Sequence, residues 1–282
     1  MTSVLTLSCP PACDARAPIA LLPTLLHALE DSQLQLVYQP QVSLTGAEVT
    51  GLEALVRWHH PDRGLVLPDN FVPAAESSHL GCRLTSFVVD AAMAAAARFR
   101  RQGTPVPVAV NVCATDLRSG RLVRAVSEAL SRHGLPSGAL VLEVTEREPL
   151  GDPAELRRVL GQLRNMGVAL SLDDFGAGHA SVSTLRGLDP DEVKIDRQFV
   201  ARCTRSNSDA SFVRSVIELG SSLGLRTVAE GVEHSDVWDR LRGWGCDIAQ
   251  GWYVGRPMPA DAVADWLRAR PVLLPAQRPA VD

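Results

Sequence analysis

From about residue 22 to residue 270 the chain alternates short β-branched runs with amphipathic stretches at helical spacing, the pattern of βα units around a parallel sheet. The apolar runs predict strands at Leu34–Gln39, Val49–Trp58, Val106–Val112, Leu140–Thr145, Val168–Asp173, Glu192–Ile195, Arg226–Glu230 and Asp247–Gln250. Helical spacing places helices near Thr24–Leu29, Arg83–Arg101, Leu122–His133, Ala154–Met166, Ser183–Gly187, Ala210–Leu223, Ser235–Trp244 and Ala260–Arg270. Asp152-Pro153 starts one helix, and Gly134, Gly167 and Gly224 each follow one as a stop. The run from Ala91 to Ala97 is a helix former that packs closely.

Eight strands with helices between them give an α/β fold, a TIM-like (β/α)8 barrel over residues 22–270. One strand departs from the ideal. Only eleven residues, Pro40 to Thr50, separate Gln39 from Gly51, too few for a helical crossover but enough for a hairpin, so the first strand is expected antiparallel. A doubly wound open sheet is the rival fold, but no GxGxxG loop follows a strand. Residues 1–21 and 271–282 are Pro- and Ala-rich without periodicity, and are expected as a disordered N-terminal tail and a C-terminal tail.

Composition narrows the function classes. A net charge of -4 supplies no basic face for DNA or RNA. No apolar run approaches the roughly 20 residues of a membrane span, and Pro10 and Pro11 break the opening segment, so no signal peptide is expected. Six cysteines without a CxxC pair are expected as reduced thiols in a cytoplasmic protein. Of the 28 basic residues a single one, Lys194, is lysine.

In such barrels chemistry gathers where strands end. Those positions read Glu53 with Arg57, Asn111, Glu143, Asp173 with Asp174, Lys194, Glu230 and Gln250. An isolated Asp at a strand end usually caps the next helix, but capping does not explain Glu53, Glu143 and Glu230 in apolar text. Five carboxylates and one amide form an oxygen-only field that suits Mg²⁺ or Mn²⁺ and not zinc. Two ions about 3.5–4 Å apart serve in-line attack on phosphodiesters, and Arg57 and Lys194 add positive charge for a phosphate. His59-His60 are expected in a loop, not as a metal pair, since strand neighbours face opposite ways. Trp238, Trp244 and Trp266 are expected to pack in the core or an interface.

Several segments carry a resemblance: Tyr38-Gln39-Pro40, Glu53-Ala54-Leu55-Val56-Arg57-Trp58, Asn111, Glu143-Val144-Thr145-Glu146, Asp173-Asp174-Phe175-Gly176, Lys194-Ile195-Asp196, Ala229-Glu230-Gly231-Val232-Glu233 and Gln250-Gly251. In this order, from about Leu22 to Leu267, they resemble the motif series of EAL-domain cyclic di-GMP phosphodiesterases. The resemblance implies a barrel with an antiparallel first strand and hydrolysis of cyclic di-GMP to linear pGpG, which lowers the second-messenger level. It implies two ions, Mg²⁺ or Mn²⁺, one held by Glu53, Asn111, Glu143 and Asp173 and the other by Asp173, Asp174 and Glu230. Lys194, Glu230 and Glu53 would be catalytic, with Lys194 orienting the attacking water or a phosphate oxygen. Gln39, Leu55, Arg57 and Gln250 would contact substrate, and Glu146 would brace the loop after the fifth strand. The partners implied are cyclic di-GMP and a second copy of the chain in a homodimer.

The family pattern after the paired aspartates is Phe-Gly-Thr-Gly-Tyr-Ser-Ser, whereas this chain has Phe175-Gly176-Ala177-Gly178-His179-Ala180-Ser181. His179 in place of Tyr bears on loop anchoring, dimer coupling or activity level, and no metal ligand is lost. Two other functions fit parts of the pattern. One is a weak or inactive cyclic di-GMP receptor, or protein-binding module, on the same fold, which ligand loss would signal. The other is an enolase-like lyase, ranked last because the segment before Leu22 is too short for the capping domain it needs.

Overall fold

The computed structural model describes residues 22–113, 115–118, 120–145, 153–177 and 182–270. Helix α1 (Leu22–Glu30) leads into β1 (Leu34–Ser43), β2 (Val49–His60), β3 (Gly64–Val66), α2 (Val72–Glu76), α3 (Gly81–Arg101) and β4 (Val108–Val112). Then follow α4 (Gly120–His133), β5 (Leu140–Thr145), α5 (Pro153–Asn165), β6 (Ala169–Phe175), α6 (Val182–Leu188), β7 (Glu192–Ile195) and α7 (Arg197–Val200). The chain continues through α8 (Asn207–Leu223), β8 (Arg226–Ala229), α9 (Ser235–Trp244), β9 (Ile248–Gln250), β10 (Met258–Pro259) and α10 (Ala260–Arg268).

The strand order is β10-β1-β9-β8-β7-β6-β5-β4-β2-β3, and a β1–β2 pairing closes it. Eight strands therefore form the barrel, with β3 and β10 as short antiparallel additions. From β2 through β9 the barrel neighbours pair in parallel, whereas β1 is antiparallel to both β2 and β9. The hairpin expected between the first two strands is present. Its arms are longer than predicted, because Pro40 does not end β1, which runs on to Ser43. Pro is tolerated where the antiparallel ladder asks no N–H of it.

Strand β2 also outruns its prediction. It pairs with β4 only over Leu52–Ala54, then leaves the barrel and continues to His60 against β1 and β3. The two histidines accordingly lie on a strand and not in a loop, with His59 exposed and His60 buried against Trp58. Their opposite facing is the expected alternation. The short β3, α2, α7 and β10 were not predicted; none is long enough to show a period.

Helix α3 packs the barrel's outside with Val89, Ala92, Met93, Ala96 and Phe99, an i, i+3, i+4, i+7 face. The small alanines bring it close, and Phe99 meets Tyr38 of β1 edge to face at 5.7 Å. Trp238, Trp244 and Trp266 are half-buried against the same core. Gly134, Gly167 and Gly224 have φ of 62°, 81° and 70°, the left-handed turn of a helix stop. Among the described residues no helix is long and apolar enough to cross a membrane. The two tails, with Cys9 and Cys13, lie outside the described residues, and so do Glu146 and His179.

Candidate active site

Parallel register carries the strand-end polar residues around the barrel, stepping two residues from β2 to β4 and again from β5 to β6. Asn111 pairs with Glu143 across β4 and β5, Thr145 with Asp173 across β5 and β6, and Glu53 with Ala109 across β2 and β4. Glu53 also faces Gln39, and Gln41 faces Gln250, through the antiparallel β1. Glu230 follows the last residue of β8, its N–H still donating to the Ile195 carbonyl at 3.2 Å.

Lys194 stands at the centre. It is 0% exposed, and its Nζ lies 2.7 Å from Glu230 Oε1, 2.9 Å from Glu143 Oε2, 3.5 Å from Asp173 Oδ1 and 3.8 Å from Glu53 Oε2. One ammonium thus counters four carboxylates, leaving negative charge in excess. Asn111 Nδ2 donates to Glu53 Oε1 at 2.8 Å, and Gln250 Nε2 donates to Glu53 Oε2. These bonds engage both oxygens of Glu53 and hold its carboxylate in place.

The adjacent aspartates need a separate explanation, since strand neighbours face opposite ways. Asp174 has φ 56°, in the left-handed region, and the β6–β7 register shifts between Leu172 and Phe175. Asp is one of the few residues that tolerates this conformation. The kink turns the second carboxylate back, so oxygens of Asp173, Asp174 and Glu230 lie within 4.8 Å of one another. Asp173 Oδ1 also accepts from the Asp174 N–H at 2.7 Å, which holds the kink. A three-carboxylate, oxygen-only set of this span fits a hard divalent cation.

The charges respond to burial and to each other. Burial pushes Glu143 well above the ordinary carboxylate range and raises Asp173, with Lys194 opposing both. Burial, then repulsion from Asp173, pushes Glu230 up to about 8. Burial acts upward on Glu53 too, but Lys194 and the amides of Gln250 and Asn111 bring it below its ordinary value. For Lys194, burial alone would lower the ammonium; the four carboxylates, Asp173 foremost, carry it well above its ordinary value.

The remaining expected contacts form the rim. A cleft of about 290 Å³ opens beside Asn111 and Thr145 and is walled by Leu55. Arg57, on the part of β2 beyond the barrel, is half-buried and donates to the Val56 carbonyl at 2.8 Å; burial lowers its guanidinium, and the charges of Glu53 and Asp69 oppose that. Gln39 Nε2 donates to the Gly255 carbonyl at 3.2 Å and its Oε1 accepts from Gln250 at 3.2 Å. Gly251 lets β9 end there: a Cβ on it would stand 2.2 Å from the Val232 carbonyl. Two features were missed from sequence. Trp252 is 53% exposed next to Gly251, with Arg256 over its ring at 4.2 Å. Gln41 is buried among the polar residues of the barrel interior; Pro40 had hidden it by seeming to end the strand.

This geometry agrees with what comparison finds. A profile described as EAL domain matches residues 23–257. The chain belongs to the EAL domain family. This EAL domain is 39% identical over 249 residues to the bifunctional diguanylate cyclase/cyclic di-GMP phosphodiesterase MucR of Pseudomonas aeruginosa, covering 88% of this chain and 36% of MucR. It is 39% identical over 246 residues to the cyclic di-GMP phosphodiesterase NbdA of the same organism, covering 87% of this chain and 31% of NbdA. The chain therefore spans about a third of the length of these curated relatives. Among solved structures, the EAL domain resembles the MucR phosphodiesterase in complex with cyclic di-GMP, with a TM-score of 0.81 and 40% identity over 86% of this chain and 99% of that one.

Proposed function

We propose that residues 22–270 form a metal-dependent phosphodiesterase unit that hydrolyses cyclic di-GMP to linear pGpG and so lowers the second-messenger level. The observation that carries this reading is the buried Lys194 shared by carboxylates expected to hold two ions: Glu53 and Glu143 for one, Glu230 for the other, Asp173 for both. The relatives' names supply the nucleotide; the donor set supplies the reaction class.

The oxygen-only donors fit two Mg²⁺ or Mn²⁺ ions, with Asp174 and Asn111 completing the two sets. When bound, such ions supply Lewis-acid polarisation of a phosphate oxygen and a water of lowered pKa. The chain's own groups do the rest. Lys194 holds the carboxylates together against their repulsion and presents an N–H to a water or phosphate oxygen beside Glu230. Glu230, pushed up to about 8 by burial and Asp173 in the metal-free cluster, would give up its proton as it takes the ion. Gln39, Gln250, Leu55 and Arg57 line the approach, with the Arg57 guanidinium suited to a phosphate. Glu146 is proposed to brace the loop after β5.

A turnover assay tests the reading: purified protein with Mg²⁺ or Mn²⁺ should convert cyclic di-GMP to pGpG, and excess chelator should stop it. Ca²⁺, which prefers longer bonds and more ligands, should inhibit. Binding of cyclic di-GMP without conversion, at every metal concentration tried, would replace the enzyme with a receptor. The homodimer and the cytoplasmic location belong to the same proposal, and light scattering of the purified chain tests the first.

A further inference from the structure

Gln41 lies outside the motif residues that carry the family resemblance, yet it is 5% exposed and points into the barrel. Its Nε2 donates to Gln250 Oε1 at 3.0 Å and reaches Glu143 Oε1 at 3.4 Å. The other oxygen of Glu143 accepts from Lys194 at 2.9 Å. The other end of Gln250 donates to Gln39 and to Glu53. A continuous chain of side chains thus runs from Gln39 through Gln250, Gln41 and Glu143 to Lys194.

The polarity of this chain is set at its Glu53 end, whose oxygens accept from Asn111 and Gln250. A carboxylate only accepts, so the Gln250 amide must turn its NH2 toward Glu53 and its oxygen toward Gln41. Gln41 must then present its own NH2, and the same group serves the Glu143 carboxylate. Were Gln250 to flip, two NH2 groups would meet at Gln41 and two oxygens would meet at Glu53. The barrel also makes room for this arrangement. Gly51 is the cross-strand partner of Gln41, and a Cβ on it would stand 2.6 Å from Gln41 Oε1. The side chain of Gln41 therefore occupies the space that Gly51 leaves open.

We propose that Gln41 is a positioning residue which locks the Gln250 amide to the Glu143 carboxylate, so that the substrate contact and the metal ligand are aligned as one unit. Gly51 is the second half of the device. The inference rests on the functional reading above for the roles of Gln250 and Glu143. It differs from that reading in predicting a defect that a merely packed residue would not cause.

The test uses the whole chain as Gln41→Leu, Gln41→Met, Gly51→Ala and the Gln41→Leu/Gly51→Ala double variant. Calorimetry reads Mn²⁺ affinity without nucleotide, and steady-state kinetics reads KM and kcat for cyclic di-GMP. Gln41→Leu should weaken Mn²⁺ binding by about tenfold or more, the usual loss for a group that orients a metal ligand, and should raise KM. Gly51→Ala should reproduce both changes in the otherwise native chain, because it displaces the amide, and should add nothing to Gln41→Leu. If Gln41→Leu fails to fold, Gln41→Met keeps the unbranched length and carries the test. Native Mn²⁺ affinity and native KM in a folded Gln41 variant, or additive effects in the double variant, overturn the proposal. A native chain without turnover would sink the functional reading alone, since the Mn²⁺ titrations still decide whether Gln41 orients Glu143.

Discussion

Lys194 Nζ and Glu230 Oε1 are 2.7 Å apart, the shortest of the four contacts that bind one wholly buried ammonium to a ring of carboxylates. The pair is both a structural and a chemical junction. Removing one partner of a buried ion pair strands the other, at a cost of about 3–5 kcal/mol. Lys194→Met should therefore lower the melting temperature of the metal-free protein markedly. Because the same carboxylates can be neutralised by a divalent ion, Mn²⁺ should recover more melting temperature in this variant than in the native chain. Turnover should still fall by roughly 10²–10³-fold, the scale of one positioned electrostatic donor. Equal Mn²⁺-induced shifts in the two proteins would show that Lys194 does not neutralise the metal ligands.

At Asp173 the charge should move stability and activity in opposite directions. Asp173→Ala and Glu53→Ala each delete a proposed ligand, and less than about a tenth of the native rate should remain. Burial pushes Asp173 upward against the pull of Lys194, so as a charge it is unfavourable in the metal-free cluster. Asp173→Asn should then melt at or above the native temperature without metal, as expected where a strained site trades stability for function. A large loss of metal-free stability in Asp173→Asn would count against that account.

Much of this arrangement could be read from the chain because strand periodicity and strand ends are local properties. Leu140–Thr145 and Glu192–Ile195 have their predicted limits, and they deliver Glu143 and Lys194 as expected. The antiparallel first strand followed from the short span between Gln39 and Gly51. What escaped depended on tertiary context. Gln41 was hidden because Pro40 looks like a strand end until the ladder shows that no N–H is needed there. The excursion of β2 beyond the barrel, which carries Arg57, is set by pairing with β3, three residues too short to show a period. The convergence of Asp173 and Asp174 comes from one backbone angle, which no pattern of side chains reveals.

That angle can be tested by itself. Asp174 sits at φ 56°, where a β-branched residue is strongly disfavoured and glycine is at ease. Asp174→Val and Asp174→Gly both remove the carboxylate, and both should weaken Mn²⁺ binding. Only Asp174→Val should destabilise the metal-free fold, by about 1–3 kcal/mol, the scale of one strained backbone position. Denaturant melts of the two variants side by side check this. Similar stabilities would mean that the kink is not held in the native state.

The last prediction concerns protons. Burial and the neighbouring Asp173 push Glu230 up to about 8, whereas an unfolded chain holds it near its ordinary 4.5. Between these values the folded protein keeps a proton that the unfolded chain has released. The sign is therefore that of a raised acid: metal-free stability contributed by this group falls as pH rises from about 4.5 toward 8, and levels off above. A divalent ion needs the ionised carboxylate, so ion and proton compete for Glu230. Mn²⁺ affinity should rise with pH up to about 8 and flatten beyond it, and binding below that point should expel a proton into the buffer. Calorimetric titrations in two buffers of different ionisation enthalpy read that proton directly, at about pH 6, 7 and 8.5. Proton release should be largest at the lowest of these and shrink toward the highest, and Glu230→Gln should remove that share of it. Mn²⁺ binding with no proton release at about pH 6 would mean that Glu230 is already ionised, and the balance of burial against Lys194 would have to be drawn the other way.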